Sequence, residues 1–111
     1  LSPLFLRSLF ECIGETSLAL ASSVKPQREV VTYNGNKIDL VLEGDDWVVV
    51  IENKIWHATV NPFDDYVNYV RHVYREKSVR FVLLCVHYEK RNFRAERLID
   101  WQVIKWIDFA R

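Results

Sequence analysis

Hydrophobic and polar positions change period several times along this chain, and each change marks an element. Leu4, Phe5, Leu9, Ile13 and Leu18 recur at helical spacing, which predicts a helix over Leu4 to Leu20 that starts at Ser2-Pro3. Gly14 weakens or kinks this helix, or splits off a short second piece. Lys25-Pro26 reads as a break, and the β-branched run Glu29 to Tyr33 as a strand. Asn34-Gly35 is a type I′ hairpin signal. Lys37 to Glu43 and Trp47 to Asn53 are then two apolar strands around a polar turn. Asn61-Pro62 resets the chain. From Pro62 to Glu76 the positions Phe63, Tyr66, Val67, Val70 and Val73-Tyr74 return to helical spacing. Val79 to Val86 is almost unbroken apolar sequence, as expected of a strand covered on both faces. Leu98 to Lys105 centres on a short fifth strand, and Trp106 to Arg111 begins a last helix. The order α-β-β-β-α-β-β predicts an α/β fold: a mixed central β-sheet flanked by helices. Within it, the strand-helix-strand unit from Val48 to Val86 is expected to be parallel and right-handed.

Three charged residues interrupt this pattern where a buried hairpin tolerates them least: Asp39, Glu52 and Lys54. An unpaired charge is costly to bury. A two-residue turn at Gly44-Asp45 pairs Asp39 with Val50 and makes Glu52 its diagonal neighbour. A four-residue loop, Gly44 to Trp47, sets Asp39 directly opposite Glu52. Both registers put all three charges on one face, whereas an unbulged three-residue loop separates them. The competing reading is a hairpin end carrying ordinary surface charges. Two carboxylates and an ammonium at a hairpin end suit a hard divalent cation beside a phosphate.

Composition narrows the class. At 111 residues, half of them hydrophobic, the chain is one domain, 1–111, with enough apolar surface for a core. No apolar run reaches membrane-spanning length and no signal peptide is visible, so no membrane partner is expected. The chain begins at Leu1 and contains no Met, the expectation being a fragment or a processed product. Cys12 and Cys85 lie far apart in apolar surroundings, as buried free thiols in a reducing cytoplasm would, and neither has zinc-ligand spacing. The formal net charge of zero argues against a dedicated nucleic-acid binder. Even so, Lys90, Arg91, Arg94 and Arg97 interleave with Tyr88 and Phe93 in a segment able to grip a phosphate backbone. A solvated loop, partly neutralised by Glu89 and Glu96, explains that segment more simply.

Asp39 followed by Glu52-Asn53-Lys54 at the end of an apolar strand resembles the PD-(D/E)xK nuclease superfamily, with Ile38 where many members have proline. The stretches Gln27-Arg28-Glu29-Val30, Gly35-Asn36-Lys37-Ile38-Asp39-Leu40 and Val49-Val50-Ile51-Glu52-Asn53-Lys54-Ile55 are similar to one bacterial branch of it. The resemblance implies a restriction-endonuclease-like core and metal-dependent hydrolysis of a DNA phosphodiester, with Asp39, Glu52 and Lys54 catalytic. It implies Mg²⁺ (or Mn²⁺) held by Asp39, Glu52 and the Asn53 backbone carbonyl, with Glu29 a further candidate ligand or else a surface carboxylate paired with Arg28 or Lys37. Lys54 would orient the attacking water or stabilise the phosphorane charge.

The chain departs from the branch in two places. The branch carries a glutamate and a histidine on a helix upstream of the first residue here. Its helix after the E-x-K motif commonly reads glutamine-leucine-x-x-tyrosine, where this chain has Asp65-Tyr66-Val67-Asn68-Tyr69. Asp65 is therefore either a metal ligand or a misplaced charge. A catalytically inactive nuclease-fold module, binding nucleic acid or a protein partner, is the alternative reading, and a homodimer is a candidate assembly. His57, His72 and His87 suit ordinary loop or surface roles, and Trp47, Trp56, Trp101 and Trp106 suit core or subunit contacts.

Overall fold

A computed structural model describes residues 7–9, 11, 24–54, 62–85 and 100–105, with Lys54 described through its backbone only. Residues 7–9 and 11 are helical and belong to α1. There follow β1 (Lys25–Val31), β2 (Lys37–Glu43), β3 (Trp47–Lys54), α2 (Phe63–Val73), β4 (Ser78–Cys85) and β5 (Trp101–Lys105). The sheet order is β1-β2-β3-β4-β5, antiparallel for the first two pairings and parallel for the last two. This is the expected mixed sheet, in the expected order.

Both faces of the sheet are covered, which explains why Trp47 to Ile51 of β3 and Phe81 to Cys85 of β4 are unbroken apolar runs. Val41, Val48, Val50, Phe81 and Leu83 pack with Phe63, Tyr66, Val67 and Val70 of α2. Leu42, Trp47, Val49, Ile51, Val82, Leu84 and Ile104 form the opposite core, together with the fully buried Leu9 of α1. Trp101 lies under the start of α2, its ring centroid 5.0 Å from that of Phe63 and 5.2 Å from that of Phe81. Trp47, Trp101 and Cys85 are core residues, as expected, and Cys85 is a free thiol. The expected helix over Trp106 to Arg111, the continuation of α1, and Cys12, Trp56 and Trp106 lie outside the described residues.

Two sequence expectations need correction. The first strand starts at Lys25, not after Pro26. β1 is an edge strand with one hydrogen-bonded side, so a residue without an N–H is tolerated there. The β1–β2 hairpin forms, but not through a type I′ turn. The Gly35 N–H donates to the Thr32 carbonyl (3.0 Å), the Thr32 N–H donates to the Asn36 carbonyl (2.8 Å), and Gly35 takes φ +81°. Asn34 does not have the positive φ that a type I′ turn demands. The loop is the three-residue kind, with glycine in the left-handed position.

Candidate active site

The β2–β3 register decides whether the predicted acids meet. Glu43 pairs with Val48 and Leu40 with Ile51, the register of the four-residue loop Gly44 to Trp47. Trp47 fixes that loop. Its indole fills the space where a Cβ on Gly44 would stand, and the Gly44 N–H donates to the Trp47 carbonyl (2.9 Å). One step beyond Leu40 and Ile51, Asp39 and Glu52 face each other.

There the ladder opens and the acids take over its hydrogen bonds. The Asp39 N–H donates to Glu52 Oε2 (3.2 Å), and the Asn53 N–H donates to Asp39 Oδ2 (2.8 Å). Each carboxylate is thus hooked to the other's strand. Glu52 is 1% exposed, whereas Asp39 is exposed. The pair forms a step, with one acid at the floor and one at the rim.

A kink across β1 and β2 accompanies this step. Glu29 has φ +52°, a left-handed conformation that costs a non-glycine residue about 1–2 kcal/mol. It lies between the pairs Arg28↔Leu40 and Val30↔Ile38, opposite Asp39. On one side of this point Leu40 and Leu42 pack in the α1-side core. On the other, Ile38 and Val30, only two residues further along each strand, pack in the α2-side core. Regular alternation would keep Leu40 and Ile38 on one face. The strands therefore reverse phase together at Glu29 and Asp39. The reversal turns the hairpin tip over α2 and leaves Asp39 exposed at the bend.

Asp65 holds the tip there. It accepts hydrogen bonds from the Thr32 hydroxyl, the Asn34 amide (2.7 Å) and the Asn36 amide (2.7 Å). The bonds from Asn36 and Thr32, chiefly, hold its carboxyl below the usual carboxylate value. Asp65 thus clamps the hairpin to α2, a role the sequence did not disclose. Tyr66, next along, was legible only as an apolar position. Its phenol is pushed well above the ordinary tyrosine range, first by burial, then by the charges of Glu52, Asp39 and Asp65, with a hydrogen bond to Glu52 adding to the shift. A signal did exist: a tyrosine on an apolar stripe usually needs a partner for its hydroxyl.

Other sequence candidates fall as follows. Glu29 is exposed on the strand beside Asp39. Lys54 takes the last β3 register position, paired with Cys85, two residues beyond Glu52. Lys90, Arg91, Arg94, Arg97, His57 and His87 lie outside the described residues. Among the described residues no group of three or more His, Cys, Asp and Glu forms a ready metal cage. The oxygen set fits a hard cation rather than zinc, because Mg²⁺ is commonly bound by one or two carboxylates and keeps several waters. A carboxylate has about four acceptor sites, so accepting a backbone N–H or the Tyr66 hydroxyl does not by itself disqualify either acid as a cation ligand.

A mixed five-stranded sheet with helices on its faces, opening at a carboxylate pair, defines an α/β protein of endonuclease-like architecture. The chain belongs to the PD-(D/E)XK nuclease superfamily, whose family model matches residues 4–110. Members of this superfamily generally use divalent metal ions, and membership points to nuclease-type function in general. The fold is similar to the crystal structure of a repair endonuclease from Pyrococcus abyssi (TM-score 0.51, 19% identity, covering 88% of this chain and 45% of that one). The structure of an EndoMS–dsDNA2 complex also matches (TM-score 0.47, 21% identity, 88% and 43%). The chain thus spans less than half the length of each. No curated protein sequence matches it. Among the described residues no helix is long and apolar enough to cross a membrane.

Proposed function

We propose that this chain is a metal-dependent deoxyribonuclease domain, with Mg²⁺ or Mn²⁺ as cofactor. The observation that carries the proposal is the reciprocal hooking of Asp39 and Glu52 across the opened end of the β2–β3 ladder. A strand pair gains nothing obvious by burying Glu52 there, since buried charge is often neutral or worse for stability. A cation site gives that burial a purpose.

Asp39 and Glu52 would hold the cation, with the Asn53 carbonyl as a further oxygen donor and Glu29 within reach of the rim through its neighbouring strand. When bound, such a cation polarises a phosphoryl oxygen and lowers the pKa of a coordinated water. Asp39 presents its charge to solvent, where a phosphodiester arrives. Glu52 is fixed by the Asp39 N–H, so it needs no reorganisation when charge develops. Lys54 is assigned the orientation of the attacking water or the stabilisation of the phosphorane, as an ammonium point charge is suited to do. Asp65 is left out of this set because the hairpin amides and hydroxyl occupy it. Lys90, Arg91, Arg94 and Arg97 are proposed to contact the DNA backbone.

The test is nicking of supercoiled plasmid with Mg²⁺ or Mn²⁺ present or chelated, set beside calorimetric Mn²⁺ binding. Metal-dependent nicking that Glu52→Gln and Lys54→Ala each reduce about a hundredfold or more is the expected result. Glu52→Gln should also abolish Mn²⁺ binding. Metal-independent nicking, or full activity in Glu52→Gln, would refute the assignment. DNA binding without cleavage in both metals would favour the inactive-module alternative.

A further inference from the structure

We propose that Tyr33, at the tip of the β1–β2 hairpin, is a stacking platform for an unpaired nucleobase next to the phosphodiester held at Asp39 and Glu52. On this view the substrate is DNA with single-stranded character rather than intact duplex. The inference rests on the nuclease reading of the carboxylate pair and adds a substrate class to it.

Tyr33 is 68% exposed, the largest exposure among the large hydrophobic side chains described, yet it is not loose. Its ring meets Tyr69 edge-on at 5.0 Å and tilts against His72 at 5.8 Å. Its hydroxyl lies 3.2 Å from His72 Nδ1. The residues on both sides of it, Thr32 and Asn34, and Asn36 beyond, are tied to Asp65. Ordering an aromatic ring in water costs conformational entropy and here recovers little burial. A ring braced from one side and open on the other suits stacking, because every base has a π-face and an aromatic platform accepts it without sequence preference.

The location selects the occupant. Tyr33 packs on Tyr69 and His72, which lie three and six residues along α2 from Tyr66, the residue bonded to Glu52, roughly 5–9 Å along the helix axis. A base on Tyr33 would therefore lie within a nucleotide or two of a phosphate at the carboxylates. A protein partner is disfavoured by scale. Val31 and Val73 are the other exposed large hydrophobics described, and three side chains fall well short of the roughly 800 Å² per partner of a stable interface. A base inside a duplex is already stacked on its neighbours, so only an unpaired or extruded one is free to use the ring.

The experiment is equilibrium binding of an oligodeoxynucleotide carrying 2-aminopurine, as a single strand and as a blunt duplex, to the purified protein with divalent metal chelated. Quenching of 2-aminopurine fluorescence reports stacking independently of cleavage. Wild type should bind the single strand more tightly and quench it. Tyr33→Ala should weaken single-strand binding about tenfold and abolish quenching, while duplex binding changes by less than about twofold. Tyr33→Phe and Tyr33→Trp should retain both signals, since the ring face and not the hydroxyl is used. Glu52→Gln should quench like wild type while losing cleavage. Quenching without metal-dependent cleavage in any variant would sink the nuclease reading and leave the platform standing. Cleavage by wild type with no quenching, or an equal loss on single strand and duplex in Tyr33→Ala, would overturn the platform. So would altered self-association in Tyr33→Ala, measured by sedimentation, with nucleic-acid binding intact.

Discussion

The two ends of the β2–β3 hairpin treat a carboxylate in opposite ways. At the turn end, Glu43 is closed off by a cation: Lys77 Nζ donates to Glu43 Oε2 at 2.7 Å and to the Gly44 carbonyl at 2.8 Å. Gln27 donates to the other Glu43 oxygen at 3.1 Å and to the Tyr74 hydroxyl at 3.3 Å. The strands there run in regular register and phase. At the open end, Asp39 and Glu52 are held by backbone N–H groups, the phase reverses, and a left-handed residue stands across the ladder. A lysine neutralises Glu43 and leaves it a structural tie. Backbone donors orient Asp39 and Glu52, and the Tyr66 hydroxyl bonds Glu52 as well.

The sharpest way to break this comparison is to neutralise one acid at each end. Glu52→Gln should lose catalysis about a hundredfold or more, with metal-free stability close to wild type, because the buried charge is removed while one acceptor oxygen remains for the Asp39 N–H. Glu43→Gln should leave activity intact and lower stability by about 1 kcal/mol, read by urea denaturation, since Lys77 is only partly buried. Gly44→Ala comes next. The added methyl meets the Trp47 ring, so a loss of about 1–3 kcal/mol is expected, with metal affinity falling if the register slips.

Asp65→Ala should cost about 1–2 kcal/mol by releasing the hairpin tip from α2. The pH dependence has a definite sign. The Asp65 carboxyl titrates below its usual 3.8 in the folded state, so the clamp contributes fully above about pH 4 and is lost as pH falls through the depressed value. Acid titration of melting temperature should show that component in wild type and not in Asp65→Ala. The smallest effect is expected at Glu29. Glu29→Gly should be neutral or stabilising by up to about 1 kcal/mol, because glycine adopts φ +52° without strain, whereas Glu29→Val should destabilise. A Glu29→Gly variant with weakened Mn²⁺ binding would extend the ligand set to β1.

Much of the scaffold was legible because its causes are local. The strands flanking Gly44 to Trp47 were bounded by polar turn residues, and the α2 stripe from Phe63 to Val70 showed its period directly. The meeting of Asp39 and Glu52 followed from parity, although parity alone left two registers open, and the Trp47 ring over Gly44 chose between them. What was not legible depends on contacts between distant segments. Pro26 looked like a break because the sequence does not announce that its strand is an edge. The phase reversal at Glu29 and Asp39 arises from docking the hairpin tip on α2, some thirty residues away in sequence. Asp65 read as either a metal ligand or a misplaced charge for the same reason: its donors, Thr32, Asn34 and Asn36, belong to another element.

Spatial order in the sheet repeats chain order, β1 through β5, with no strand slotted between earlier neighbours. A chain emerging from the ribosome can therefore add each strand to an edge already in place, without reopening a finished pairing. Asp39 and Glu52 would be juxtaposed as soon as the third strand is laid down, before the helix that braces the hairpin has been made. Assembly of the carboxylate pair would then precede completion of the core around it, a sequence of events open to hydrogen-exchange pulse labelling during refolding.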